Sequence, residues 1–213
     1  DGDCADWHAL QALASTHGAW LMMDDAHGLG VFGERGLGLL DAPPRPSPPD
    51  IYTATLGKAF GLAGAFVAGS EALIEYCVQK ARTLVFSTAP PPALAYAGLT
   101  ALGMVQNAHA ERAHLAALIT QFKHGAAQLG LPLLPSNTAI QPLLLGDETR
   151  ALAASQASLQ QGLLVAAIRP PTVPKGTSRL RITLTAAHTP QQVERLLAAL
   201  AAVFSLHNAP TRI

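Results

Sequence analysis

Short apolar runs at residues 19–24, 51–55 and 64–68 alternate with loops and with stretches of helical period, and no other feature constrains the fold as much. Strands that alternate with helices cover an open sheet on both faces, so the pattern predicts an α/β unit with a mostly parallel sheet. The chain opens on a helix. Asp6 stands where a cap would precede the apolar positions Trp7, Leu10, Leu13 and Ala14, and Gly18 stands where such a helix would end. A chain that enters on a crossover helix before its first strand reads as beginning part-way through an α/β domain, so an upstream part is expected. Residues 42–50 (APPRPSPPD) read as a Pro-rich surface connection. Ser70 is placed to cap a helix reaching Arg82, residues 85–86 read as a strand stub, and 93–107 carry helical spacing.

The character of the chain changes near Asn107. A helix is expected over 108–129, strands over 139–145, 163–168 and 179–185, and helices over 148–161 and from Pro190 to about 203. This divides the chain into residues 1–107 and a compact α+β unit, 108–213. Lys plus Arg and Asp plus Glu both count 14, so the chain has no overall field to attract nucleic acid or an anionic membrane. Asp, Gly or Pro interrupts every apolar run well before the ~18 residues of a membrane span. Cys4 and Cys77 make neither a disulfide framework nor a metal motif. A soluble, cytoplasmic globular protein is expected, with no metal.

Residues 28–33 match G-x-G-x-x-G, the dinucleotide fingerprint. That fingerprint must open a helix directly, whereas Gly36 and Gly38 follow at once here, so the segment reads as a loop with several tight turns. Asp24 closes an apolar strand at the edge where parallel sheets place ligand groups, and His27 follows three residues on. The pair suits either a turn cap or a site. Lys58 stands between Gly57 and Gly61 after the second strand; it is either a solvated amine or, held in a pocket, a nucleophile able to form a Schiff base with a carbonyl. Thr55, Ser87 and Thr88 suit either turn capping or phosphate oxygens. Arg179 and Arg181 share one strand face, as the wet side of an edge strand or as a fork for a carboxylate, and Arg169 is a second candidate anion group. A strand-end Asp, a loop His and a downstream Gly-Lys together match pyridoxal phosphate chemistry, in which the Lys carries the cofactor and the Asp holds its ring nitrogen protonated.

Four segments, WLMMDDAHGLGVFGERG, TATLGKAFG, FSTAPPP and AIRPPTVPKGTSRLRITLTAAH, resemble in sequence and order the α-oxoamine synthases, fold-type I pyridoxal-phosphate enzymes. The last of these, with SNTAIQPLLLGD, is most similar to the branch that condenses L-alanine with pimeloyl-CoA or a pimeloyl carrier protein in biotin synthesis. The resemblance implies a partial cofactor domain with a mostly parallel sheet, followed by a small α+β domain. It assigns Asp24 to the pyridine nitrogen, His27 to the phenolic oxygen and Lys58 to the Schiff base. Thr55 would contact the phosphate within its own subunit, and Ser87 and Thr88 the phosphate across a homodimer with shared active sites. Arg181 would hold the amino-acid carboxylate, with Arg169 near the acyl substrate. A sibling enzyme using glycine and another acyl-CoA is the alternative, and an inactive fragment or structural partner subunit is a second. The resemblance covers only the later part of such enzymes, so this chain alone is expected to be catalytically incomplete.

Overall fold

The computed structural model describes residues 1–41 and 47–207, and part of the Pro-rich connection, residues 42–46, lies outside them. The chain forms two compact units, residues 5–112 and residues 113–213 joined by residues 1–4.

The first unit contains helices α1 (Trp7–His17), α2 (Glu71–Lys80), α3 (Arg82–Val85) and α4 (Pro92–Asn107) and strands β1 (Met22–Asp24), β2 (Ile51–Thr55) and β3 (Ala65–Gly69). Local chemistry sets the helix ends. The Asp6 carboxylate accepts from the Ala9 N–H at 3.0 Å, and Gly18, at φ 58°, turns the chain so that the Ala19 N–H reaches the Ala14 carbonyl at 2.9 Å. Ser70 caps α2 through the Leu73 N–H at 3.3 Å.

The sheet runs in the order β1-β2-β3 and corrects the expectation of a mostly parallel one. β1 and β2 are parallel, with Met22 opposite Ile51 and Asp24 opposite Thr53. β2 and β3 are antiparallel, with Thr55 opposite Ala65. The connection 56–64 is too short for a crossover, which needs about a dozen residues, so the chain can only return beside itself. Residues 85–86 are not a strand either. Leu84 and Val85 both donate to the Ala81 carbonyl, which winds the segment into α3. Within β2, Tyr52 and Ala54 face a core with Trp7, Met23 and Leu29, while Thr53 and Thr55 point to the other face.

Helix α5 (His109–Gln128) contributes its larger part to the second unit, which holds β4 (Ile140–Gly146), α6 (Glu148–Gln160), β5 (Ala166–Ile168), β6 (Ser178–Thr183) and α7 (Pro190–His207). Its sheet is antiparallel in the order β4-β6-β5, so β6 is the central strand, not the edge one of the two readings supposed. Leu180 and Ile182 are buried on one face of β6, and Phe122, Leu143, Val193 and Leu200 complete the core. A reciprocal cap starts α7: the Thr189 N–H donates to Gln192 Oε1 at 2.8 Å and the Gln192 N–H to Thr189 Oγ1 at 3.2 Å. No described helix is long and apolar enough to cross a membrane.

Candidate active site

Asp24 and Lys58 follow from two strands paired side by side in parallel. β1 ends at Asp24 beside Thr53; β2 continues to Thr55, and Lys58 stands in the loop beyond it. That loop is closed on itself: the Leu56 N–H reaches the Gly64 carbonyl at 2.9 Å, the Leu62 N–H the Leu56 carbonyl at 2.8 Å, and the Gly61 N–H the Lys58 carbonyl at 3.0 Å. Lys58 is exposed, and its Nζ donates to Thr55 Oγ1 at 3.1 Å. Asp24 is exposed as well; its Oδ1 accepts from the Ala26 N–H at 3.0 Å. Its carboxylate therefore keeps access to water and to an incoming donor.

His27 is exposed in the turn that follows, which the Gly28 N–H closes on the Asp25 carbonyl at 3.1 Å. The loop beyond is built around two buried carboxylates that the sequence reading overlooked. Asp25 is 4% exposed, and its Oδ2 accepts from the Leu39 N–H at 2.7 Å and from the Tyr52 hydroxyl at 3.1 Å. A Cβ on Gly28 would lie 2.0 Å from Asp25 Oδ1, and one on Gly38 would lie 1.9 Å from Oδ2. Asp41, equally buried, accepts from the Arg35 N–H at 2.7 Å, and a Cβ on Gly33 would come within 2.2 Å of it. From the outside, the Arg112 guanidinium donates to the Val105 carbonyl at 2.6 Å and the Glu34 carbonyl at 2.7 Å. A Cβ on Gly30 would lie 2.6 Å from Ala59 Cβ, so the Gly-rich loop lies directly against the loop of Lys58. The glycines thus make room for carboxylates and for a neighbouring loop. One signal was available: the period of two that buries Met23 and exposes Asp24 puts Asp25 back on the core side.

Burial raises the Asp25 carboxyl above its ordinary range, partly offset by the donors Leu39 and Tyr52, while the charge of Asp24 adds to the rise. The Tyr52 phenol is likewise pushed up, first by burial and then by the Asp25 charge. A group raised in the folded state contributes stability below its unfolded value and loses it as pH rises beyond. Stability should therefore fall above Tyr52's ordinary value of 10.0, and Tyr52→Phe should make that fall shallower. Urea midpoints between pH 9 and pH 11 measure it; identical slopes in both proteins would contradict the assignment.

Ser87 and Thr88 are exposed just past α3, with the Ser87 hydroxyl turned back onto the Thr83 carbonyl. Asp24, His27, Thr55, Lys58, Ser87 and Thr88 all belong to the first unit, and Arg169 and Arg181 to the second. On β6, Arg179 is 6% exposed and its guanidinium is engaged by the Thr177 carbonyl at 2.9 Å and the Asp1 carboxylate at 2.6 Å. Arg181 is half-buried, and its Nε is buried with no hydrogen-bond partner among the described residues. Arg169 is exposed and paired with Glu148 at 2.8 Å.

Comparison with known proteins bears on this arrangement. The family described as aminotransferase class I and II matches residues 1–200. An 8-amino-7-oxononanoate synthase of Hydrogenovibrio crunogenus is 54% identical over 202 residues, covering 94% of this chain and 51% of that protein. A serine palmitoyltransferase solved with its PLP internal aldimine superposes with a TM-score of 0.90 at 30% identity, over 96% of this chain and 52% of that one. The 8-amino-7-oxononanoate synthase of Francisella tularensis gives 0.82 at 29% identity, over 94% and 59%. The chain spans about half the length of the curated relatives it matches.

Proposed function

The chain belongs to the class I and II aminotransferase family, and on that premise we propose that the protein is a pyridoxal-phosphate-dependent acyltransferase that makes 8-amino-7-oxononanoate. Its substrates are L-alanine and pimeloyl-CoA or a pimeloyl carrier protein, and it works in the cytoplasm in biotin synthesis. The alanine Cα forms a bond to the acyl carbon, the thiol leaves, and the alanine carboxylate departs as CO2. The observation that carries this reading is the 54% identity to a synthase of that name across 94% of the chain.

The donor set fits the cofactor: an amine on a hydroxyl, Lys58 on Thr55, stands past the strand that pairs with the one ending in an exposed carboxylate, Asp24. Lys58 would bind its aldehyde, Asp24 its ring nitrogen, His27 its phenolic oxygen and Thr55 its phosphate. Bound there, pyridoxal phosphate supplies an electron-withdrawing ring that accepts the electron pair released at Cα. The Lys58 amine would take and return the Cα proton. The Asp24 carboxylate holds the proton on the ring nitrogen and so keeps positive charge where electrons must go. Arg181, with an unpartnered buried Nε, receives the alanine carboxylate. Arg169 would serve the acyl substrate, for which it must exchange its bond to Glu148.

A homodimer with shared sites completes the proposal. Its support is the apolar surface left open on α2 and α4 and just past α3, where Tyr76, Tyr96, Leu99 and Phe86 are all at least 66% exposed. Ser87 and Thr88, exposed directly after Phe86, would reach the partner subunit's phosphate group. Alanine-dependent release of thiol from pimeloyl-CoA, with the product identified by mass, tests the reading. Equal or faster release with glycine would replace it by a sibling activity.

Asp24→Asn should lower turnover by about a hundredfold and weaken cofactor affinity by much less, since the amide cannot hold the ring proton but leaves Lys58 and Thr55 in place. Absorbance titration gives the affinity and thiol release the turnover. Equal losses in both would remove Asp24 from this role.

A further inference from the structure

The chemistry above uses neither of the two buried carboxylates of the Gly-rich loop, and Asp25 is the one beside His27. Asp25 lies at the first position of the turn whose third position is His27, and its side chain fills the space in front of Gly28, the residue that closes the turn. The same carboxylate reaches the far end of the loop through the Leu39 N–H and reaches strand β2 through the Tyr52 hydroxyl. It thereby ties three points together: the turn with His27, the end of the loop near Gly38, and the strand that leads to Lys58.

We propose that Asp25 is a positioning residue, whose buried carboxylate fixes the turn that presents His27 to the cofactor. The inference rests on the assignment of His27 under Proposed function. The carboxylate accepts from Leu39 and Tyr52 through Oδ2, and it also accepts from the Gly28 N–H, with Oδ1 on the Gly28 side. An amide has one acceptor atom, so its NH2 must face one of these three donors, and with the oxygen kept at Leu39 and Tyr52 it is set against the Gly28 N–H that closes the turn. Asp25→Asn therefore keeps the volume and breaks the tie. The opened turn releases His27 while the Lys58 loop, closed by its own backbone bonds, stays as it is.

Two measurements separate this proposal from the reading it rests on. In the cofactor-free protein, Asp25→Asn should speed hydrogen exchange at the Leu39 and Gly30 amides at least tenfold, with exchange in α4 unchanged. Unchanged exchange at Leu39 and Gly30 would overturn the tie itself, whatever binds to the loop. In the holoenzyme, the absorbance maximum of the bound cofactor should move in the same direction in Asp25→Asn and in His27→Asn, and the double variant should move no further than His27→Asn alone. Additive shifts, or an unshifted spectrum beside a lowered melting temperature, would reduce Asp25 to a structural role and overturn the proposal. If Asp25→Asn does not fold, Tyr52→Phe serves instead, since it removes one donor and keeps the ring that stands 6.0 Å from Phe66; it should give a smaller shift of the same sign, and no shift would count against the tie. A protein whose wild-type form takes up no cofactor at Lys58 would fail the proposed function and leave the exchange result standing.

Discussion

Lys58→Ala should lower alanine-dependent thiol release at least a thousandfold and leave the fold intact. A positioned acid–base group alone is worth about 10²–10⁴ in rate, and this amine is also the proposed covalent anchor of the cofactor. Its structural contribution is small: Lys58 is exposed, and its side chain makes one hydrogen bond, to Thr55. The change in stability should stay within about 0.5 kcal/mol, as for most surface substitutions. Borohydride reduction of the holoenzyme followed by peptide mapping should place the cofactor on the peptide TATLGKAFG in the parent and nowhere in the variant. Label on Lys80 or Lys175, or residual turnover near that of the parent, would move the reacting amine elsewhere.

The largest structural effect is expected from a single methyl group at Gly38. Gly38 has φ 70°, where a side chain costs about 1–2 kcal/mol, and its Cβ would lie 1.9 Å from Asp25 Oδ2. The carboxylate would have to leave the Leu39 N–H and the Tyr52 hydroxyl, and each buried polar group left unmet costs about 1–3 kcal/mol. Gly38→Ala should therefore destabilise the chain by about 3–5 kcal/mol, the sum of a strained turn and one lost hydrogen bond or more. Gly61→Ala is the control: it has a comparable φ, 64°, but nothing within 4 Å of its Cβ, so it should show the backbone part alone. Urea denaturation followed by tryptophan fluorescence, with Trp7 in the core beside this loop, compares the two. Equal losses at Gly38 and Gly61 would mean that the carboxylate yields at no cost.

What could be read in the sequence is what local chemistry decides. The caps at Asp6 and Ser70 and the strand 51–55 all depend on residues within three or four positions of one another. Strand-end position alone left Asp24 open between a turn cap and a site, and Lys58 between a solvated amine and a nucleophile; the family resemblance is what singled them out, and Asp24 does accept from the Ala26 N–H as a turn cap would. Sheet order was not legible. Whether β3 pairs parallel or antiparallel turns on the length of a loop, and whether β6 is central or at an edge turns on a partner far away in the chain. Val85 and Phe86 carry strand propensity, but two residues without a partner strand do not outweigh a helix already wound from Ala81. Asp25 escaped because it sits beside a more conspicuous aspartate, and its partners, Leu39 and Tyr52, are 14 and 27 residues on.

The two buried aspartates change the thermodynamic meaning of the Gly-rich segment. In a dinucleotide site such a loop collects its N–H groups around a phosphate that comes from outside. Here the Leu39 and Arg35 N–H groups meet Asp25 and Asp41, anions that belong to the chain itself. Residues 25–41 surrender their backbone conformational entropy, about 1–2 kcal/mol for each, when the protein folds and not when a ligand arrives. Capture of a cofactor at the proposed site beside this loop would carry none of that ordering cost, so its affinity would draw on a surface that is preorganised before binding begins.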